Sequence, residues 1–207
     1  MKPDVPLVNE KVRSDLSYCV FAGSAEGNQA KYADSAEALG RELAARGAGL
    51  VYGGARIGLM GALANTVLGS GGAVTGVIPR PLAEREVAHD GLTTLHLVSS
   101  MHERKQLMAD LSDGFIALPG GLGTIEELFE MLTWAQLGIH GKPCGLLNVA
   151  GYFDRLLEFL DHTVGEGFIR SPHRDLLYVD TSPAGLLDQF GRHRPRTVAK
   201  WLDSNQG

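Results

Sequence analysis

The chain has 207 residues, of which 27 are Gly, 9 are Pro and 44% are hydrophobic. Glycine stands at nearly twice its usual share, yet no G-x-y period runs through the chain and the apolar content suffices for a packed core, which excludes collagen-like and low-complexity chains. A formal net charge of −5 leaves no basic footprint for a phosphate-rich duplex, so the expected partner is a small molecule and not nucleic acid.

In chain order, residues 1–15 lack the apolar stretch of a signal peptide and read as a polar tail, which points to the cytoplasm. Residues 17–24 (SYCVFAGS) form an apolar run ending in Gly-Ser, and the segment after it places Tyr32, Ala36, Leu39 and Leu43 on one helical face. A second strand (GLVYGG, 49–54) leads into a second helix (LMGALANTVL). Further strands follow at 73–79, 93–99, 114–121, 143–149 and 176–180, mostly with helical patterns between them. Residues 57–79 carry no charge, but six glycines and several polar residues make them a helix, a turn and a strand; no membrane span is expected. Strands that are continuously apolar and alternate with helices predict an α/β fold, a single-domain doubly wound parallel sheet of Rossmann-like type. That domain covers 16–191, and 192–207, with Arg192, Arg194, Arg196 and Lys200, reads as a polar tail. Cys19 and Cys144 sit in apolar runs with no C-x-x-C spacing, so buried thiols are expected and no metal or cofactor is called for.

In such sheets ligands bind beyond the carboxyl ends of the strands. The glycines concentrate there: ten of the thirty residues at 47–76, and four of the ten at 114–123. In both clusters a strand runs into a glycine turn and then a helix, the arrangement that aims backbone N–H groups and a helix dipole at an anion. Tight turns alone would also account for either cluster. Neither GGARIGLMG nor PGGLGT has the G-x-G-x-x-G or Walker A spacing, which leaves a mononucleotide as the expected ligand.

Two charged residues stand out. In MHERKQLMADL, Ser100 and Glu103 match a capping box, and Arg104 then shares a stripe with Met101, Met108 and Leu111. A guanidinium on an apolar face needs a partner, either a structural ion pair or the anion of a ligand. In PGGLGTIEELFEMLTWAQLG, Thr124 and Glu127 also match a capping box, so Glu127 either caps its helix or reaches the ligand from the first turn. Along this helix Ile125, Leu128, Phe129 and Leu132 make one apolar stripe, and Met131 and Trp134 extend it. Two apolar faces call for two packing partners, the second being a like subunit in a homodimer.

The segments GGARIGLMG (53–61), MHERK (101–105) and PGGLGTIEE (119–127), with TWAQLG following, resemble in order and spacing the motifs of the Lonely Guy family of cytokinin-activating phosphoribohydrolases, often labelled lysine decarboxylases. The resemblance implies a homodimer that hydrolyses the N-glycosidic bond of N6-modified adenosine 5′-monophosphates to free base and ribose 5-phosphate. It puts the essential pair on Arg104 and Glu127. Substrate contacts carry over to Ser24, Gly54, Glu86, Lys105, the turn Gly120, Gly121, Leu122, Gly123, Thr124, Ile125 and Glu126, and to Thr133. Ala55-Arg56 departs from the family's usual small residues. A general AMP or nucleoside monophosphate nucleosidase is the alternative within enzymes, and a non-catalytic nucleotide sensor or carrier the alternative outside them. A decarboxylase would need a lysine set up for a pyridoxal phosphate Schiff base, and Lys105 beside Arg104 offers no such setting.

Overall fold

The computed structural model describes residues 16–83 and 88–195. Seven strands, β1 (Ser17–Phe21), β2 (Gly49–Tyr52), β3 (Val74–Pro79), β4 (Thr94–Val98), β5 (Gly114–Ala117), β6 (Cys144–Leu147) and β7 (Leu177–Asp180), form one parallel sheet in the order β4-β3-β2-β1-β5-β6-β7. The helices between them are α1 (Ala30–Ala45), α2 (Gly58–Gly69), α3 (Arg80–Ala83), α4 (Met101–Asp110), α5 (Leu122–Gln136), α6 (Asp154–Gly165), α7 (Ser171–Arg174) and α8 (Pro183–Arg192). The doubly wound sheet expected from the apolar runs is the observed one.

Strand periodicity divides the core in two. Tyr18 and Val20 point to the face covered by α1, α2 and α8, where Leu39, Leu43, Leu63 and Leu186 pack, while Cys19 and Phe21 point to the face covered by α4, α5 and α6, with Met108, Leu128 and Leu160. Both cysteines are buried free thiols. No described helix is long and apolar enough to cross a membrane.

Sheet order fixes where a crevice opens. From β1 the chain winds outward through β2, β3 and β4, and then returns to β1's other edge with β5. The loops after β1 and β5 therefore leave to opposite faces, and their divergence opens a crevice at the carboxyl ends of these two strands.

The turn after α5 is held by a histidine. His140 Nδ1 accepts the Lys142 N–H (3.1 Å) and Nε2 lies 3.0 Å from the Met131 carbonyl, an arrangement that needs the neutral imidazole with its proton on Nε2. Burial, with Lys142 adding to it, pushes the His140 pKa below the usual 6.5. A group favoured as neutral in the folded chain contributes stability that is fully present above its unfolded pKa and lost as pH falls through and below 6.5. In denaturant titrations the stability difference between wild type and His140→Ala should accordingly shrink between pH 7.5 and pH 5. A constant difference would mean that the ring only fills space.

Candidate active site

The crevice contains a cavity of about 310 Å³ between the β1 loop (Gly23, Ser24, Gly27) and the β5 loop (Pro119, Gly120, Gly121), lined also by Tyr32 and Tyr152. The β5 loop turns straight into α5. Gly121 is the N-cap, and no side chain caps the helix, so its first amides face outward as open donors at the positive end of the dipole. The Thr124–Glu127 capping box does not form: the helix begins at Leu122, which puts Thr124 inside its first turn. Thr124 is instead buried against Gly120, where a Cβ would overlap its hydroxyl. Gly120 is thus the residue that lets the turn close.

Arg104 enters from α4 on the other side of the turn. Its Nε donates to the Val77 carbonyl (3.1 Å) and Nη2 to the Gly53 carbonyl (3.4 Å), with Nη1 3.7 Å from Met101 Sδ. The partner is therefore main chain, not the carboxylate that a structural ion pair would need: Arg104 makes no ion pair among the described residues. Its charge is uncompensated, and two of its five N–H groups remain for an anion. The helix that carries it starts as expected at Ser100, whose Oγ accepts the Glu103 N–H (3.1 Å), although the Glu103 carboxylate reaches back to Ser99 and not to Ser100.

Glu127 lies in the second turn of α5. Its carboxyl has no hydrogen bond or ion pair among the described residues, and burial raises its pKa from 4.5 to about 7 against the pull of Arg104, with Glu126 and Glu130 raising it further. A carboxyl near half-ionisation at neutral pH, next to an unmatched guanidinium, is poised for proton transfer or for stabilising a developing cation.

Lys105 is tied to neighbouring acids. Its Nζ donates to Glu126 (2.7 Å) and forms an ion pair with Glu130 (3.0 Å), with only 11% of the side chain exposed, so two expected substrate contacts, Lys105 and Glu126, are paired with each other and clamp α4 to α5. No pattern in the sequence marks Glu130. It is one helical turn from Glu127, and only the position of α4 makes it a partner of Lys105.

The family described as "Possible lysine decarboxylase" matches this chain over residues 60–190. A "Probable cytokinin riboside 5'-monophosphate phosphoribohydrolase" of Oryza sativa subsp. japonica is 55% identical over 196 residues, covering 91% of this chain and 87% of the relative. The "Cytokinin riboside 5'-monophosphate phosphoribohydrolase" of Rhodococcoides fascians is 54% identical over 164 residues, 79% of this chain and 83% of the relative. The chain belongs to the Lonely Guy family. Among solved structures, a molybdenum cofactor carrier protein from Chlamydomonas reinhardtii has a TM-score of 0.64 at 20% identity, covering 86% of this chain and 96% of its own, a likeness of fold alone.

The remaining residues carried over from the Lonely Guy motifs are only partly brought together. Ser24, Gly120 and Gly121 line the crevice. Leu122, 88% exposed, and Gly123 stand at the open start of α5, and Ile125 is half-buried beside them. Gly54 is buried with φ +80° and faces Ile78 and Leu95. Glu86 lies outside the described residues. Thr133 bonds the Phe129 carbonyl (2.7 Å) and borders a separate cleft with Phe129, Leu132, Leu160 and Ile169. That cleft also revises the packing of α5. The buried residues of α5 are Thr124, Leu128 and Met131, so of the expected stripe only Leu128 is fully buried, while Phe129 and Leu132 border the cleft opposite Leu160 of α6.

In the first glycine cluster two positions are closely packed. A Cβ on Gly58 would strike the backbone of Ser24 and Ala25, and one on Gly53 would overlap the Arg104 guanidinium. Gly53→Ala should therefore displace Arg104 without adding bulk to the crevice itself. The expected result is a loss of turnover of at least tenfold, with a melting temperature within a few degrees of wild type because the clash is with the end of a flexible side chain. Unchanged turnover would show that the position of Arg104 does not matter to the reaction.

Proposed function

We propose that this protein hydrolyses the N-glycosidic bond of N6-modified adenosine 5′-monophosphates, releasing the free base and ribose 5-phosphate, in the cytoplasm and as a homodimer. The observation that carries the chemistry is the unpaired Glu127 carboxyl beside the unpaired Arg104 charge, next to an uncapped glycine turn. Relatives about half identical over most of their length bear the name of this activity.

In this reading the amides at the start of α5 and the Ser24 loop bind the 5′-phosphate, a remote group whose binding energy places the sugar. The C1′–N9 bond breaks with its electron pair leaving on the purine, so positive charge builds on the ribose. An ionised Glu127 stabilises that oxocarbenium-like state and orients the water that adds to C1′, as carboxylates do for O-glycosides; the water gives up one proton as it adds and the departing purine takes one up, so that neutral base and ribose 5-phosphate result. Arg104, which lowers the Glu127 pKa, favours the ionised form and contacts the substrate's anionic side. Exposed apolar groups on the same layer, Leu137, Ile139, Phe159 and Phe168, support the dimer.

The test is to incubate the protein with AMP, isopentenyladenosine monophosphate, other nucleoside monophosphates and the unphosphorylated ribosides, and to chromatograph for free base. Release from N6-modified monophosphates in preference to the rest is expected. Equal release from AMP would make it a general nucleosidase, and no release from any would leave a binding protein. Light scattering should give twice the 22.1 kDa of one chain.

A further inference from the structure

We infer that Tyr152 is a positioning residue for the 5′-phosphate, holding the Gly120–Gly121 peptide in the sense that presents the Gly121 N–H to the anion. This rests on the phosphate seat proposed above. The Tyr152 hydroxyl donates to the Gly120 carbonyl at 2.7 Å across 32 residues of chain. A trans peptide is planar, with its C=O and N–H directed to opposite sides. With the Gly120 carbonyl committed to Tyr152, the amide of the N-cap residue is turned away from the tyrosine, and that N–H has no partner among the described residues. It then adds to the open amides of the first turn of α5. In the flipped peptide the carbonyl oxygen would take its place and repel an anion. Two adjoining glycines, unlike most residues, leave both senses of this peptide accessible to the backbone, so something outside the turn has to select one.

The chain goes to some length to deliver this hydroxyl. After β6, Ala150 takes φ 51° and Gly151 φ 74°, and Ala150 is the one described non-glycine residue with positive φ. Left-handed backbone at an alanine is held against its preference, and here neighbouring contacts hold it. The Asn148 side chain, which is buried, accepts the Phe153 N–H (2.9 Å) and donates to Asp154 (2.7 Å), fixing both ends of the turn. The Tyr152 ring is then gripped edge-on by Tyr32 (5.7 Å between centroids) and Phe153 (4.8 Å). None of this packing needs the hydroxyl, and the residue remains 42% exposed.

Tyr152→Phe keeps the ring and its contacts, so it removes the hydrogen bond alone. By calorimetry, the Kd for ribose 5-phosphate should rise by about three- to tenfold, the range for one hydrogen bond that water can partly replace, while the Kd for adenosine, which has no phosphate, stays the same. A merely structural role would weaken both ligands together, and that result, or an unchanged ribose 5-phosphate affinity, or a wild type that does not bind ribose 5-phosphate, overturns the inference. Free base assayed on the same preparations separates it from the hydrolase reading. Tyr152-dependent binding of ribose 5-phosphate by a wild type that releases no base would overturn hydrolysis only. Base release with an affinity indifferent to Tyr152→Phe would overturn the positioning role only.

Discussion

Glu127→Gln is expected to stop base release while making the fold more stable at neutral pH, a combination that a capping or ion-pairing carboxylate would not give. Glutamine has the same shape but cannot carry the charge that a ribosyl cation needs opposite it, and losses of about 10² to 10⁴ in turnover are usual for such groups. The stability effect has a definite sign. The Glu127 pKa is raised from 4.5 to about 7, chiefly by burial, so the folded chain holds this proton more tightly than the unfolded one does. Folding is thereby favoured at low pH, and stability is lost as pH rises from 4.5 through about 7, where the buried group must ionise. Removing it should recover on the order of 1–3 kcal/mol above pH 7 and little at pH 4. Denaturant unfolding of both proteins at the two pH values measures this. The pH profile of turnover gives a second reading: if Glu127 works as the carboxylate, kcat/KM climbs with pH and levels off above about 7. A profile that falls through the same region would instead make Glu127 the acid that protonates the departing purine.

Arg104→Ala should lose turnover by about two to three orders of magnitude at a small cost in melting temperature. The guanidinium bonds the Gly53 carbonyl just after β2 and the Val77 carbonyl within β3, and balances no buried carboxylate in an ion pair. The same substitution removes the one guanidinium that lowers the Glu127 pKa, so the residual activity should need a higher pH than the wild type does. A melting temperature that drops by ten degrees with activity retained would make Arg104 a structural strut. Arg104→Lys is not expected to restore activity, because a single ammonium cannot span the Val77 and Gly53 carbonyls and still offer donors to a ligand.

The sheet and most of its helices were legible because buried parallel strands are unbroken apolar runs, and because Ala36, Leu39 and Leu43 repeat at helical spacing on α1. Arg104 and Glu127 were legible as residues in unusual places, but their surroundings were not. The carbonyls that receive Arg104 belong to residues 27 and 51 positions away, and no local pattern marks a carbonyl as an acceptor. The Thr124–Glu127 spacing imitated a cap because the box is a local rule, whereas the true start of α5 is set by how closely the Gly120 turn packs on Thr124. Tyr152 carries no local signal for a related reason. In the sequence it is an aromatic residue entering a helix, and its meaning comes from a loop on another strand.

The position of β1 bears on how the chain is made. Among the described strands it is the first to leave the ribosome, and β2 can join one of its edges soon afterwards, but the other edge waits for β5, whose approach is marked by the Ser17 N–H to Asp113 bond across 96 residues. At synthesis rates of about 5–20 residues per second, that edge stays bare for several seconds or more. During this interval a nascent chain has an apolar strand with unsatisfied backbone groups and no glycine turn beside it. A ribosome stalled before residue 114 would therefore display a half-sheet prone to pairing with its neighbours, and the hydrolase would appear only when its first strand finally becomes its middle one.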